Sequence, residues 1–445
     1  MNRGEIIPGA TIEFISVPRP TSSVGTRGIA IAPLELSWGA EDELIEVFST
    51  DLINGRSLPK IGFTGFDDES FQLNLLLSNC YKSYIYRSNT GGVKASAILL
   101  VDDDDSVTVE AVHSGLLGNN ITISIIESDL EGLFEVNTFV NSIRQDRQII
   151  SNFSQFIKND YVDFTIAGAE LPMIAIAGVL LQGGTNGQML EIDMYPSFFK
   201  EAKTVLWQTM VIPTANVTIK NQALQFVNDV RENQKYVQLV IPNYPTDDHG
   251  IISINQTVRF GDITASVIDM SYWVTGASAG ANINESLTAR TIQGATQLID
   301  NLDRRDLENN ILSGFLSFSV KQNGEVMVTQ DINTLTTFTT NRNQEFSKNR
   351  IVRTLDEIGT TINSIWENQF MGVVNNDEAG RILFKSNIAG YFYQLQEIGA
   401  IQNFNAQEHL RVEQGNTLSS VVASVTVMPI DSMEFLNFTV HVRAV

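Results

Sequence analysis

The sequence predicts an α/β (α+β) core domain assembled from N- and C-terminal parts of the chain, with an inserted all-β domain and extended N- and C-terminal arms. Three observations predict it. Apolar strand-like runs alternate with amphipathic helical stretches near the start and again through the second half, the pattern of an α/β unit. Between about Lys94 and Leu181 that alternation gives way to short period-two segments separated by Gly, Asn and Asp, the texture of an all-β domain. At the ends, extended segments stand without a local partner. The last, Leu436 to Ala444, alternates without a break: Leu436, Phe438, Val440 and Val442 fall on one face and Asn437, Thr439, His441 and Arg443 on the other. Such alternation marks a half-buried strand, which requires something to pair with.

In chain order, residues 1–22 read as an extended arm and 23–93 as the first part of the core. Within the latter, RGIAIAPLEL (27–36) is a buried strand, DESFQLNLLLSNC (68–80) an amphipathic helix and SYIYR (83–87) a second buried strand. Residues 94–185 form the inserted domain, with SVTVEAVHSG, NNITISIIES, LFEVNTFV and YVDFTIAG as its strands and LQGGTNG as a flexible exit. The core resumes over 186–415, where the helical YPSFFKEAK and NQALQFVNDVREN alternate with TVLWQTMVIP and KYVQLVIPN. The spacing of Ile263, Val267, Met270 and Val274 predicts a helix over 263–281. A hairpin with Asn323-Gly324 at its tip follows, then two long helices over 347–370 and 378–399. Residues 416–445 are a C-terminal region that closes in the alternating strand.

At 445 residues the chain is long enough for two or three domains with their own cores. Lys plus Arg number 29 against 51 Asp plus Glu, a net charge of −22, which opposes sequence-independent binding to phosphate backbones; no nucleic-acid partner is expected. The opening MNRGEIIPGATIEF has no apolar core of signal-peptide length. The apolar part of LPMIAIAGVLLQGGTNGQML falls short of the ~20 residues needed to span a bilayer. A soluble chain with no direct membrane insertion is expected. The single cysteine, Cys80, sits in the apolar run LNLLLSNCYKSYIY, which predicts a buried thiol, no disulfide within the chain and a reducing compartment.

The chemistry-bearing motifs are few. Gly276-Ala277-Ser278-Ala279-Gly280 has the G-x-S-x-G spacing of a hydrolase elbow, but that motif needs a strand, a sharp turn and a helix, whereas here the serine falls late in a helical pattern, where small residues permit close packing. A serine hydrolase using Ser278, with His409 or His441 as base, stands as an alternative. The acid run Asp102 to Asp105 lacks the alternating ligands, glycine and closing glutamate of a calcium loop and reads as a solvated turn. The four histidines, at 113, 249, 409 and 441, form no HxH or HExxH pair, so no metal is expected. GGVKAS (91–96) lacks the spacing and the Lys-Ser/Thr end of a phosphate loop. No cofactor, no catalytic residue and no enzymatic activity are expected.

At the amino terminus, IIPGATIEFISVPRP followed by GTRGIAIAPLELSWG resembles the opening of contractile tail sheath proteins of phages and phage-derived bacteriocins. The residues carrying the likeness are Pro8, Gly9, Phe14, Arg27, Gly28, Pro33, Trp38 and Gly39. LLGNNITISI (116–125) resembles the turn and strand opening that family's variable β domain, and LQGGTNG its exit. YWVTGASAGANINESLT (272–288) resembles its helix ending in small residues, and GNTLSSVVASVTVMPIDSMEFLNFTVHV its closing arm.

The resemblance implies a structural subunit that polymerises as stacked hexameric rings around an inner tail tube and contracts to drive the tube through a cell envelope. It implies linkage of subunits by strands donated from the arms, with Leu436, Phe438, Val440 and Val442 as interface residues of the C-terminal arm and Ile12 and Phe14 of the N-terminal arm. Hinges are expected at Gly4, Pro8 and Gly9 in front and at Gly415 and Pro429 behind. The partners implied are further copies of the chain, the tail tube protein, and baseplate and tail terminator proteins. The location implied is a virion tail or phage-tail-like particle assembled in the host bacterial cytoplasm. A non-contractile tube or adhesin subunit, also a strand-exchanging polymer, is the second alternative.

Overall fold

The protein is described by a computed structural model covering residues 27–100, 106–167 and 173–443. The described residues divide into two compact units, one of 27–356 with 431–443 and the other of 357–430. The division falls inside the helix Asn349–Ile365, where the sequence marks no boundary.

The larger unit is built on a six-stranded sheet in the order Ile251–Ile254, Gln238–Pro242, Thr209–Val211, Ile29–Leu34, Lys82–Arg87, Leu44–Phe48. All neighbours run parallel except the last edge strand, which is antiparallel. Parallel strands need helical crossovers that cover the sheet, so these strands are buried on both faces and read as continuous apolar runs such as QLVIP. The two faces feed different apolar clusters. From Ile29–Leu34, Ala30, Ala32 and Leu34 join the cluster containing the helix Val267–Gly280, while Ile31 joins the one containing the helices Glu191–Ala202 and Val217–Glu232.

The helix expected over 263–281 begins later. Ile263–Ala265 is a short strand paired with Val258–Phe260, and Ser266 caps the helix. Its hydroxyl accepts from the Asp269 N–H at 3.2 Å, and the Asp269 carboxylate accepts from the Ser266 N–H at 2.9 Å. This reciprocal cap fixes the start at Val267 and overrides the apolar spacing that included Ile263. The 68–80 helix is also shorter: Asp68–Ser70 is a 3-10 turn and the α-helix runs over Phe71–Leu77. The two helices pack through glycine, because a Cβ on Gly280 would stand 1.7 Å from the Asn79 carbonyl oxygen and one on Gly276 1.9 Å from that of Leu76.

The insert consists of two antiparallel sheets. One orders Lys94–Leu100, Ser106–Ser114 and Val162–Ala167; the other orders Ile176–Leu180, Ile121–Glu127, Phe134–Val140 and Ile143–Ile150. Inward residues of both, among them Val107, Val109, Ile123 and Val136, form one core with Trp38 from the chain just after the first core strand. Trp38 is fully buried, donates through its indole nitrogen to the Pro59 carbonyl at 2.9 Å and meets the His113 ring edge-on at 5.2 Å. The LQGGTNG exit is not the free linker its composition suggests. Thr90 and Gln188 exchange backbone hydrogen bonds, and the buried Arg87 guanidinium donates to the carbonyls of Gly39, Ser114 and Asn186. Entry and exit are thereby stitched together, and Gly184 and Gly187 serve close backbone approach.

In the smaller unit the described residues are 357–430. A π-helical turn at Trp366–Phe370 and the helix Glu378–Glu397 bring Trp366, Phe370 and Phe384 into edge-on ring contact. A two-residue ladder pairs Ile401–Gln402 with Met428–Pro429, and an antiparallel hairpin pairs Leu410–Gln414 with Val421–Val425. No helix among the described residues is long and apolar enough to cross a membrane.

Candidate assembly interface

The terminal segment has two parts with opposite environments. Its root is held down by Glu434, whose side chain is only 6% exposed. That carboxylate accepts from Thr288 Oγ1 at 2.7 Å, from Gln330 Nε2 at 3.0 Å and from the Lys348 ammonium, with which it forms an ion pair. Burial pushes the Glu434 pKa upward, but the donated hydrogen bonds and the Lys348 charge outweigh it and hold the carboxyl below its ordinary range.

The Thr288 hydroxyl accepts from the Asp331 backbone N–H at 2.9 Å, so its single proton is free for Glu434. Asp331 in turn forms a buried ion pair with Arg353 at 2.5 Å, both side chains 1% exposed, and accepts from Asn349 and the Leu287 N–H. The root is thus tied into the interior of its unit by a continuous polar network.

Beyond the root, every residue from Phe435 to Arg443 is exposed, and among the described residues the segment pairs with no strand. Leu436 is 86% exposed and Val442 89%, and Phe438 and Val440 are exposed as well. Both faces of the alternating pattern meet solvent. Four large apolar side chains repeating every second residue on an unpaired backbone are the sticky half of a β-sheet without its other half.

Gly415, expected as a hinge, lies in the loop of the hairpin, its N–H donating to the Ser420 carbonyl at 2.8 Å; Pro429 stands opposite Ile401 in the short ladder. Ladder bonds hold both places in this conformation. Gly4, Pro8, Gly9, Ile12 and Phe14 lie outside the described residues, as does the Asp102–Asp105 run. The hairpin itself is two-stranded, so each of its strands has an outer edge without a strand partner among the described residues. Beside it lies a groove of about 460 Å³ whose lining mixes Trp366, Phe370, Phe384 and Leu418 with Asn376 and Arg381.

The residues of the hydrolase alternative lie in unlike surroundings. Ser278 is fully buried within the helix Val267–Gly280, its hydroxyl 3.3 Å from the Gln238 side-chain oxygen, with no strand-turn-helix elbow around it. His441 is exposed on the terminal segment, and His409 accepts the Asn405 N–H. Cys80 is buried against the Leu76 carbonyl, and burial pushes its thiol up to about 12. Among the described residues no group of three or more His, Cys, Asp or Glu side chains could hold a metal ion. Sequence reasoning missed Glu434. The signal available was a lone carboxylate between Met433 and Phe435 at the threshold of an apolar run.

The feature this fold presents most openly is an unpaired β segment on a folded body. The model of the phage tail sheath protein central domain matches residues 183–334 and that of the phage tail sheath C-terminal domain residues 341–443, and the chain belongs to the phage tail sheath family. A sheath tail protein from Desulfitobacterium hafniense shares 31% identity over 96% of this chain and 97% of its own, with a TM-score of 0.81. The phage-like element PBSX protein XkdK of Bacillus subtilis (strain 168) is 29% identical over 98% of this chain and 97% of the relative. A chain of the anti-feeding prophage helical sheath in contracted state covers 97% of this chain with a TM-score of 0.53 at 11% identity, a likeness of fold. This protein is therefore a phage tail sheath protein, a structural component of a phage or phage-like particle.

Proposed function

We propose that the chain polymerises as stacked hexameric rings around a tail tube, that neighbouring copies are linked by strands donated from both termini, and that the lattice contracts by rigid-body rearrangement of its subunits. The observation that carries this reading is the unpaired, alternating apolar segment Leu436–Val442 on a chain of the sheath family. Burying its four apolar side chains contributes about 1.5–3 kcal/mol each, an upper bound of roughly 6–12 kcal/mol per arm before the ordering cost is subtracted. The receiving element is an open sheet edge of another copy, and the Leu410–Gln414/Val421–Val425 hairpin, flanked by a groove lined in part by Trp366, Phe370 and Leu418, has the edge and apolar surface to accept it. Ile12 and Phe14 would act likewise from the other terminus.

A donated strand suits a lattice that must shorten without coming apart: ladder bonds fix the strand while the chain behind it swings. The swing point favoured by the geometry is the step after Glu434, where clamped backbone gives way to backbone without ladder bonds; Gly415 and Pro429 would contribute only if their pairings opened. The likeness of fold to a chain from a contracted helical sheath supports the rearrangement, and the absence of a phosphate-loop motif in the sequence supports a lattice that relaxes downhill without nucleotide. Tube, baseplate and tail terminator proteins are the partners, and the particle is assembled in the host bacterial cytoplasm.

The test is electron microscopy of the purified chain polymerised with and without its tube. Particles of two lengths support the sheath reading, and one fixed length favours the non-contractile polymer. Removal of residues 435–445 should leave a folded monomer that forms neither; normal polymerisation of that truncation would overturn strand donation by this arm.

A further inference from the structure

We infer that Glu434 is the positioning residue of the C-terminal arm: its clamp by Lys348, Thr288 and Gln330 sets the point and direction from which the strand leaves its own subunit. The inference rests on the strand-donation reading and deepens it by naming what aims the strand. Four observations carry it. Glu434 is the last residue before the exposed stretch, and it is itself nearly buried. Its carboxylate accepts from three side chains at once, contributed by three separated stretches of chain at 288, 330 and 348. The network behind it reaches the buried Asp331–Arg353 pair through Thr288, so the clamp is anchored to the interior and not to other surface side chains. The Phe435 ring lies 5.9 Å from the Lys348 ammonium, which extends the hold by one residue into the arm.

A tether matters to a donated strand for a physical reason. The receiving edge sees the arm at an effective concentration set by the span the arm must cover and the volume it explores. An arm released at its root explores a larger volume and loses more freedom on docking, so the lattice is weakened although no residue of the donated strand has changed. A clamp placed one residue before the strand also fixes which alternate side chains face the acceptor, because a slip of one residue exchanges the two faces.

The experiment uses the full chain. In Glu434→Gln and Lys348→Met, the concentration needed for polymerisation should rise about tenfold or more, while the thermal midpoint of the monomer stays close to that of the unaltered chain. The charge-exchanged double variant Glu434→Lys/Lys348→Glu should recover most of the loss. A probe of the arm itself separates positioning from general stability. Spin labels at Val440→Cys and Ser313→Cys in the monomer should give a distance distribution that widens in Glu434→Gln. Unchanged polymerisation of both single variants overturns the inference, and so does a distribution that does not widen. Should Glu434→Gln fail to fold, Lys348→Met carries the same test. If truncation of 435–445 leaves polymerisation intact, strand donation fails; if truncation abolishes it while Glu434→Gln does not impair it, only the positioning role fails.

Discussion

Two β-type segments of the larger unit, Ile29–Leu34 and Leu436–Val442, are alike in local character and opposite in fate. The first lies in the middle of a six-stranded sheet, paired on both sides, with its side chains distributed between two apolar clusters. The second has no strand beside it among the described residues and exposes all its large apolar side chains. β-forming sequence specifies a willingness to pair and nothing about where the partner comes from. In one case the chain supplies its own neighbours. In the other the demand is left open, and on the proposed reading that open demand is the means of joining copies.

The comparison can be broken most sharply by deleting residues 435–445. The monomer should keep its stability within about 0.5 kcal/mol, as for a surface change, and polymer should disappear from sedimentation profiles and micrographs; a large fall in the urea midpoint would mean the segment belongs to its own subunit's core. Next in size is the contrast between single truncations. Ile31→Ala removes a fully buried side chain and should cost about 2–5 kcal/mol of unfolding free energy. Leu436→Ala should leave the urea midpoint unchanged and, if strand donation buries it between molecules, raise the polymerisation threshold about tenfold. Equal effects of the two changes on monomer stability would erase the distinction.

A smaller effect concerns pH. Burial above all, with the Arg87 and Lys94 charges adding to it, pushes the His113 imidazole down from its ordinary 6.5 to about 4. Between those values the unfolded chain holds more protons than the folded one, so stability is fullest above about 6.5, declines as the pH falls toward 4 and levels off below. Urea midpoints of the truncated monomer at pH 7.5, 6 and 5 should fall in that order, and less steeply in His113→Gln. Smallest is the response to salt. With a net charge of −22 on every copy, screening should favour polymerisation as ionic strength rises from low to moderate values; polymer that weakens over that range would show that long-range repulsion is not the controlling influence.

Much of this was legible in the sequence because the signals are local. The change from alternating helix and strand to period-two segments coincides with the two antiparallel sheets between Lys94 and Leu180, since side-chain period reports directly on whether one face or both are buried. The two late helices were readable for the same reason. Local spacing also misled: Ile263 continues a helical pattern but belongs to a strand, because the Ser266–Asp269 cap stops the helix one turn short. The glycines of LQGGTNG suggested slack, whereas Gly187 lies so close to Thr90 that a Cβ would stand 2.1 Å from its carbonyl oxygen. Composition cannot distinguish a glycine used for freedom from one used for contact.

The candidate interface divides in the same way. The apolar face of Leu436, Phe438, Val440 and Val442 could be written down from the chain alone, since alternation is a property of consecutive residues. The clamp could not. Glu434 meets Thr288, Gln330 and Lys348 only after folding has brought distant stretches together, and nothing in the spacing of four polar residues along 147 positions announces a shared carboxylate. By itself the sequence determined which segments seek a sheet and which helices need a core, because those demands arise from each side chain's relation to its near neighbours. The tertiary structure decided which demands are met within the molecule, where the buried charges find partners and where the unmet strand begins, because long-range pairing depends on positions in space that no local pattern encodes.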